Sequence, residues 1–141
     1  MKTSYTYNHG IAKCVIIDND GSTYTGEAYC HPEDTDMMSE KTGLQIAETR
    51  ANIKFLKHLI KDSKRELKAL KDFHSLLKFN PYYNKDVRET HLLIREIRRR
   101  EKDIQENENS LKEMKSALAE YITEKDKFYQ KIRRNRNKGQ K

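Results

Sequence analysis

The stretch IAETRANIKFLKHLIKDSKRELKALKDFHSLL, residues 46–77, decides the fold. Ile46, Ile53, Ile60 and Leu67 recur every seven residues, and Leu56, Leu70 and Leu77 fill most of the positions three residues later. This spacing predicts a helix with one narrow apolar seam, which another seam must cover. A second stretch supplies it. Ile97, Ile104, Leu111, Leu118 and Ile132 keep the same period, with Leu93, Met114, Tyr121 and Phe128 in the companion column. Between the two lies Phe79-Asn80-Pro81-Tyr82-Tyr83-Asn84-Lys85. Pro81 lacks an amide hydrogen and disfavours helix at Asn80, so the first rod stops there. A short loop between two long helices favours antiparallel neighbours. The second rod is expected to begin near Asp86, whose carboxylate suits a helix N-terminus, and to end around Arg134.

Working outward, residues 5–30 read as a β-hairpin. Tyr5, Tyr7, Ile11, Val15, Ile16 and Ile17 are good strand formers, as are Thr23, Tyr24, Thr25 and Tyr29. Asp18-Asn19-Asp20-Gly21-Ser22 marks the turn, with a loop of two or three residues left open by the sequence. Gly10 and Gly26 suit a bulge or a close backbone approach. A lone two-stranded ribbon is marginal in water, so it must pack on the helices, pair with another chain's ribbon, or both. His31-Pro32-Glu33-Asp34 ends the strand, and Asp34, Asp36, Ser39 and Thr42 are all candidate N-caps for the first rod.

The expected fold class is α+β, mostly α. An N-terminal antiparallel β-hairpin region (1–32) is followed by a long antiparallel two-helix coiled-coil hairpin (33–134, loop 79–85) and a basic disordered tail (135–141). The whole is one structural domain. At 141 residues, 36% charged and with a mean hydropathy of −1.06, the chain is too polar to bury a thick core alone. An oligomer is therefore expected. No run of 18 apolar residues and no signal peptide occurs, which points to a cytosolic protein without a membrane partner. Cys14 and Cys30 are too few for a disulfide framework and do not oppose one another in either plausible register. No Cys-x-x-Cys or His-x-x-x-His spacing suggests zinc.

The net charge of +7 is a property of one end. Lys131, Arg133, Arg134, Arg136, Lys138 and Lys141 account for six of the 29 bases, and the remaining 23 face 22 acids. A basic tail can hold a polyanion and is often only a solvated terminus. No catalytic motif and no Gly-rich phosphate loop emerges, so no enzyme activity and no cofactor are expected. Three places carry the right groups for a ligand. Arg100 and Asn107 break the second seam, and folding the hairpin about Tyr82 sets them near Ser63 and Lys57. Such a break fixes register in most coiled coils, and it would also suit an anionic, hydrogen-bonding ligand. Tyr82, Tyr83 and Asn84 offer two aromatic faces and an amide at the hairpin tip, which either stack a base or close the loop. Tyr121, Phe128 and Tyr129 return beside Gly43, with Arg50 a turn deeper and Arg133 at the rim. There they form core or the mouth of a pocket.

The junction Gly26-Glu27-Ala28-Tyr29-Cys30-His31-Pro32-Glu33-Asp34, followed by Ser39-Glu40-Lys41-Thr42-Gly43-Leu44-Gln45-Ile46-Ala47-Glu48-Thr49-Arg50-Ala51, resembles small bacteriophage proteins from Gram-positive hosts. With a β ribbon ahead and two long helices behind, it is similar to the first family of Thoeris anti-defence proteins. That resemblance implies a sponge acting in the host cell cytoplasm. It would sequester a cyclic ADP-ribose isomer, a small cyclic nucleotide signal, and release it intact. Some members are associated with cyclic oligonucleotides. It implies a homodimer that builds to a hexamer as a trimer of dimers, with pockets between chains. Ligand-binding candidates are chosen by chemistry: Arg50, Tyr82, Tyr83, Asn84, Arg100, Asn107, Tyr121, Phe128 and Arg133. No catalytic or metal-binding residue is assigned. Two alternatives remain open. One is a nucleic-acid-binding regulator using Arg95, Arg98, Arg99, Arg100 and the tail, with nucleic acid the less favoured partner. The other is a coiled-coil adaptor to a host protein.

Overall fold

A computed structural model describes residues 1–29, 40–79 and 87–139. The fold is α+β and mostly helical, with a three-stranded antiparallel sheet followed by two helices. The strands are β1 (Lys2–Asn8), β2 (Ile11–Ile17) and β3 (Thr23–Tyr29), in the order β1-β2-β3. The helices are α1 (Glu40–Leu77) and α2 (Val87–Gly139). The chain divides into two compact units. Unit 1 comprises Met1–Phe55 and Lys112–Lys141, and unit 2 comprises Leu56–Leu111.

The two-stranded ribbon read from the sequence is a three-stranded meander. His9 and Gly10 both take positive φ, 52° and 78°, which makes a two-residue turn joining β1 to β2. Two successive positive φ values give the turn the twist that flanking strands need. The second turn is longer than the two or three residues expected. Pairing closes at Ile17 and Thr23, leaving Asp18–Ser22 as the loop. Its backbone is tied by Asp18 N–H to Ser22 O (2.9 Å) and Gly21 N–H to Asp18 O (3.0 Å). The Asp18 and Asp20 carboxylates accept from Asn19 and Ser22. Cys14 stands opposite Tyr5 on one side and Gly26 on the other, so Cys30, itself outside the described residues, is not its strand partner, as expected.

One face of the sheet carries the core of unit 1. Ala12, Cys14 and Ile16 of β2 and Ala28 of β3 are buried with Ile46, Ala47 and Ala51 of α1. Tyr7, Tyr24, Leu44, Leu118, Tyr121 and Ile122 pack around them. The small side chains have a structural reason. A Cβ on Gly26 would lie closer than 3.0 Å to the Ala47 carbonyl oxygen and the Ala51 amide nitrogen, so helix and strand meet backbone to backbone. Gly26 is thus the close approach that its sequence position suggested. Tyr24 and Phe55 meet edge to face at 5.3 Å beside this contact.

The seven-residue period holds along most of α1. Ile46, Ile53 and Ile60 are buried, and Leu67 and His74 are half-buried on the same line. In unit 2 Ile104 is buried, and ion pairs link α1 to α2: Lys64 to Glu108 (2.6 Å), Lys71 to Glu101 (3.0 Å) and Glu66 to Arg100 (2.6 Å). Arg100 therefore meets Glu66 rather than Ser63. Side chains lean toward the N-terminus of their own helix, so partners on antiparallel segments touch later in sequence than Cα arithmetic about Tyr82 places them.

Two expectations change at the helix ends. Thr42, a candidate cap, is buried inside α1, whose first residue is Glu40; Asp34, Asp36 and Ser39 lie outside the described residues. The helix α2 runs to Gly139 and takes in residues 135–139, which were expected to form a tail. No proline interrupts it, and cationic side chains suit a helix C-terminus. No helix among the described residues is long and apolar enough to cross a membrane.

Candidate functional site

A cleft lies wholly in unit 1, between the first turns of α1 and the middle of α2. Four α1 residues line it, Gln45, Glu48, Thr49 and Asn52, which share one helix face at spacings of three, four and seven. From α2 come Met114, Ala117, Leu118 and Tyr121. Its volume is about 540 Å³, the size class of small-molecule sites. One wall offers two amides, a hydroxyl and a carboxylate, and the other is apolar. The Tyr121 hydroxyl donates to Gln45 Oε1 at 2.7 Å and joins the two walls. Lys125 stands 5.4 Å from the centre of the Tyr121 ring. Thr49 returns its hydroxyl hydrogen to the Gln45 carbonyl one turn back (2.9 Å), which orients its oxygen lone pairs outward.

The lining holds one carboxylate and no cation. Glu48 also faces the sheet. Burial, with the Glu48 carboxylate next, pushes the Cys14 thiol above its ordinary 9.0 and the Tyr5 phenol above 10.0. The Cys14 side chain is therefore a protonated core thiol at neutral pH.

Of the residues chosen from the sequence, Tyr121 is the one in this cleft. Arg50 instead donates from Nη1 to the Glu27 carbonyl at 2.6 Å, and Lys54, one turn on, reaches the Thr25 carbonyl at 2.6 Å. Both cap the outer edge of β3. Arg100 is engaged twice, from Nη1 to Glu66 (2.6 Å) and from Nε to Glu96 (3.0 Å). Arg99 grips the same Glu96 through Nη2 at 2.6 Å and Nε at 3.1 Å. These hydrogen bonds hold the Glu96 carboxyl below its ordinary 4.5. The polar break in the second stretch is thus occupied by an ion-pair network, in which Arg100 meets both Glu66 and Glu96. Asn107 is half-buried and does not line the cleft.

Phe128, placed on the seam by its spacing, is 55% exposed, while Tyr129 beside it is buried and meets it edge to face at 5.8 Å. A straight helix drifts by about 20° per heptad against a strict seven-residue repeat, so the inward position passes to the next residue. Tyr82, Tyr83 and Asn84 and the Arg133 side chain lie outside the described residues. Gln45, Glu48, Thr49 and Asn52 were not singled out from the sequence. Their signal was a polar stripe at helical spacing flanking the apolar one. Among the described residues no three His, Cys, Asp or Glu side chains are grouped to hold a metal ion. No family model, no curated protein and no solved structure matches this chain.

Proposed function

We propose that the chain is a non-catalytic binding protein that captures a small cyclic nucleotide signal of the cyclic ADP-ribose type. It would act as a bacteriophage anti-defence sponge in the host cytoplasm. The observation that carries this reading is the unit 1 cleft, where Tyr121 and Gln45 are joined across two walls and Thr49 and Asn52 stand beside an apolar floor. Amides and hydroxyls read the donor and acceptor edges of a base and the ribose hydroxyls. Met114 and Leu118 cover its flat face. With a carboxylate and no cation in the lining, the base and one ribose enter while the pyrophosphate stays outward, toward Lys125 at the Tyr121 ring. A sponge needs affinity rather than transition-state stabilisation. Nanomolar binding requires roughly −12 kcal/mol, which favours a second chain closing over the open side.

That second chain has a surface to use. The sheet face away from the core carries Ile11 (42% exposed), Ile17 (37%), Tyr29 (67%) and half-buried Val15. Lys13 and Glu27 sit opposite each other on it. A two-fold axis through this face would set Lys13 of each copy against Glu27 of the other and cover the apolar strip. The nucleic-acid reading is less well supported, because Arg99 and Arg100 are both neutralised by Glu96 and Glu66.

The test incubates purified protein with extract from cells whose Thoeris system has been activated, then heats the complex and identifies what is freed. Intact signal is expected, and Asn52→Ala should lower the amount captured about tenfold, the loss of one good ligand hydrogen bond. Recovery of a hydrolysed product, or no nucleotide at all, overturns the reading.

A further inference from the structure

The geometry points to a second binding site in unit 2, for a single phosphoryl group carried on a flat or apolar body, with Arg98 holding the anion. The groove lies between α1 and α2 within that unit and encloses about 390 Å³. Ile94 and Ile97, both half-buried, form its floor. Arg98, Ser75 and His74 stand on its sides. Arg98 differs from its neighbours in one respect that matters. Arg99 and Arg100 are committed to Glu96 and Glu66, whereas Arg98 makes no ion pair or hydrogen bond with any described residue. An uncommitted guanidinium that lines the same groove as a hydroxyl can serve as a fork for a phosphoryl oxygen pair. The remaining charges in the groove, Lys71 and Glu101, are paired with each other at 3.0 Å and cancel. Apart from His74, the lining therefore carries one net positive charge. That suits one anionic group and not a polyanion, which would meet the Glu101 carboxylate as it lengthened. The isoleucine floor adds affinity for whatever apolar body the phosphoryl group carries.

This site does not rest on the unit 1 cleft, and its test uses different ligands. The full chain is titrated with phenyl phosphate at constant ionic strength, with phenol and inorganic phosphate as the two halves of the probe. Amide shifts are followed by NMR. Saturable binding of phenyl phosphate near or below about 1 mM is expected, tighter than either half, with shifts at residues 71–75 and 94–101. Arg98→Gln should weaken it about tenfold, while Arg95→Gln, one turn earlier on the same helix and outside the groove, should leave it unchanged. Equal losses in the two variants would mean diffuse charge attraction and overturn the proposal. So would shifts confined to unit 1, or binding that phenol alone reproduces.

Discussion

Gly26 faces a backbone and not a side chain, which sets the penalty for changing it. Alanine there would drive a methyl into the Ala47 carbonyl and the Ala51 amide, and neither can rotate away. Gly26→Ala should cost about 1–3 kcal/mol of stability, read from the urea midpoint at unchanged slope. A loss below about 0.5 kcal/mol would mean that α1 slides freely over β3. Glu96 provides a pH signature. Its carboxyl is held low by Arg99 and Arg100, so its contribution is complete above the unfolded value near 4.5 and disappears as pH falls through the lower folded value. Wild type should exceed Glu96→Gln in urea midpoint at pH 7, and the gap should close on acidification to about pH 2. A gap that stays constant across that range would remove the ion-pair network from the account of stability. At this scale the sequence was legible where few uses suit a residue type, as at Gly26, where the close approach is the one observed of the two expected. It was ambiguous at Arg100, because a cation in a seam reads the same whether its partner is a ligand or a glutamate on the other helix.

Elements were legible in proportion to their periodicity. Both rods emerged, the second running five residues past its expected end near Arg134, because an apolar repeat of seven residues sustained over several turns fits a helix and little else. The sheet lost a strand in the reading because Asn8-His9-Gly10-Ile11 lacks the Asn-Gly or Asp-Gly pair that marks a two-residue hairpin turn. The alternation of Ala12, Cys14 and Ile16 against Tyr5 and Tyr7 held the register all along. The β1–β2 turn is therefore a sensitive point. Gly10→Val should cost about 1–2 kcal/mol, since a branched side chain resists the left-handed region. His9→Asn should be neutral or stabilising in the same urea titration. If Gly10→Val proves silent, the two positive φ values are not needed to join these strands. The candidate cleft escaped notice for a related reason. Polar residues at spacings of three, four and seven on a helix normally face water, and only the return of Tyr121 to Gln45 turns Gln45, Glu48, Thr49 and Asn52 into a wall.

Across the whole molecule, burial is spread thinly. The largest fully buried side chain among the described residues is Cys14, and much of the apolar surface on the outer sheet face stays accessible. A chain so composed gains from a second copy, and the sheet face predicts how. Sedimentation equilibrium at micromolar concentration should show a dimer. Ile11→Glu with Ile17→Glu should return a monomer whose circular dichroism is unchanged, because neither side chain belongs to the core. A dimer that survives both changes would relocate the interface to the helices. The contact of Gly26 with Ala47 and Ala51 also bears on how this sequence can vary. In a saturation library under selection for folding, most surface positions would drift independently. Positions 26, 47 and 51 would change only as a correlated triplet, and a larger residue at one would survive only where the backbone had already been respaced.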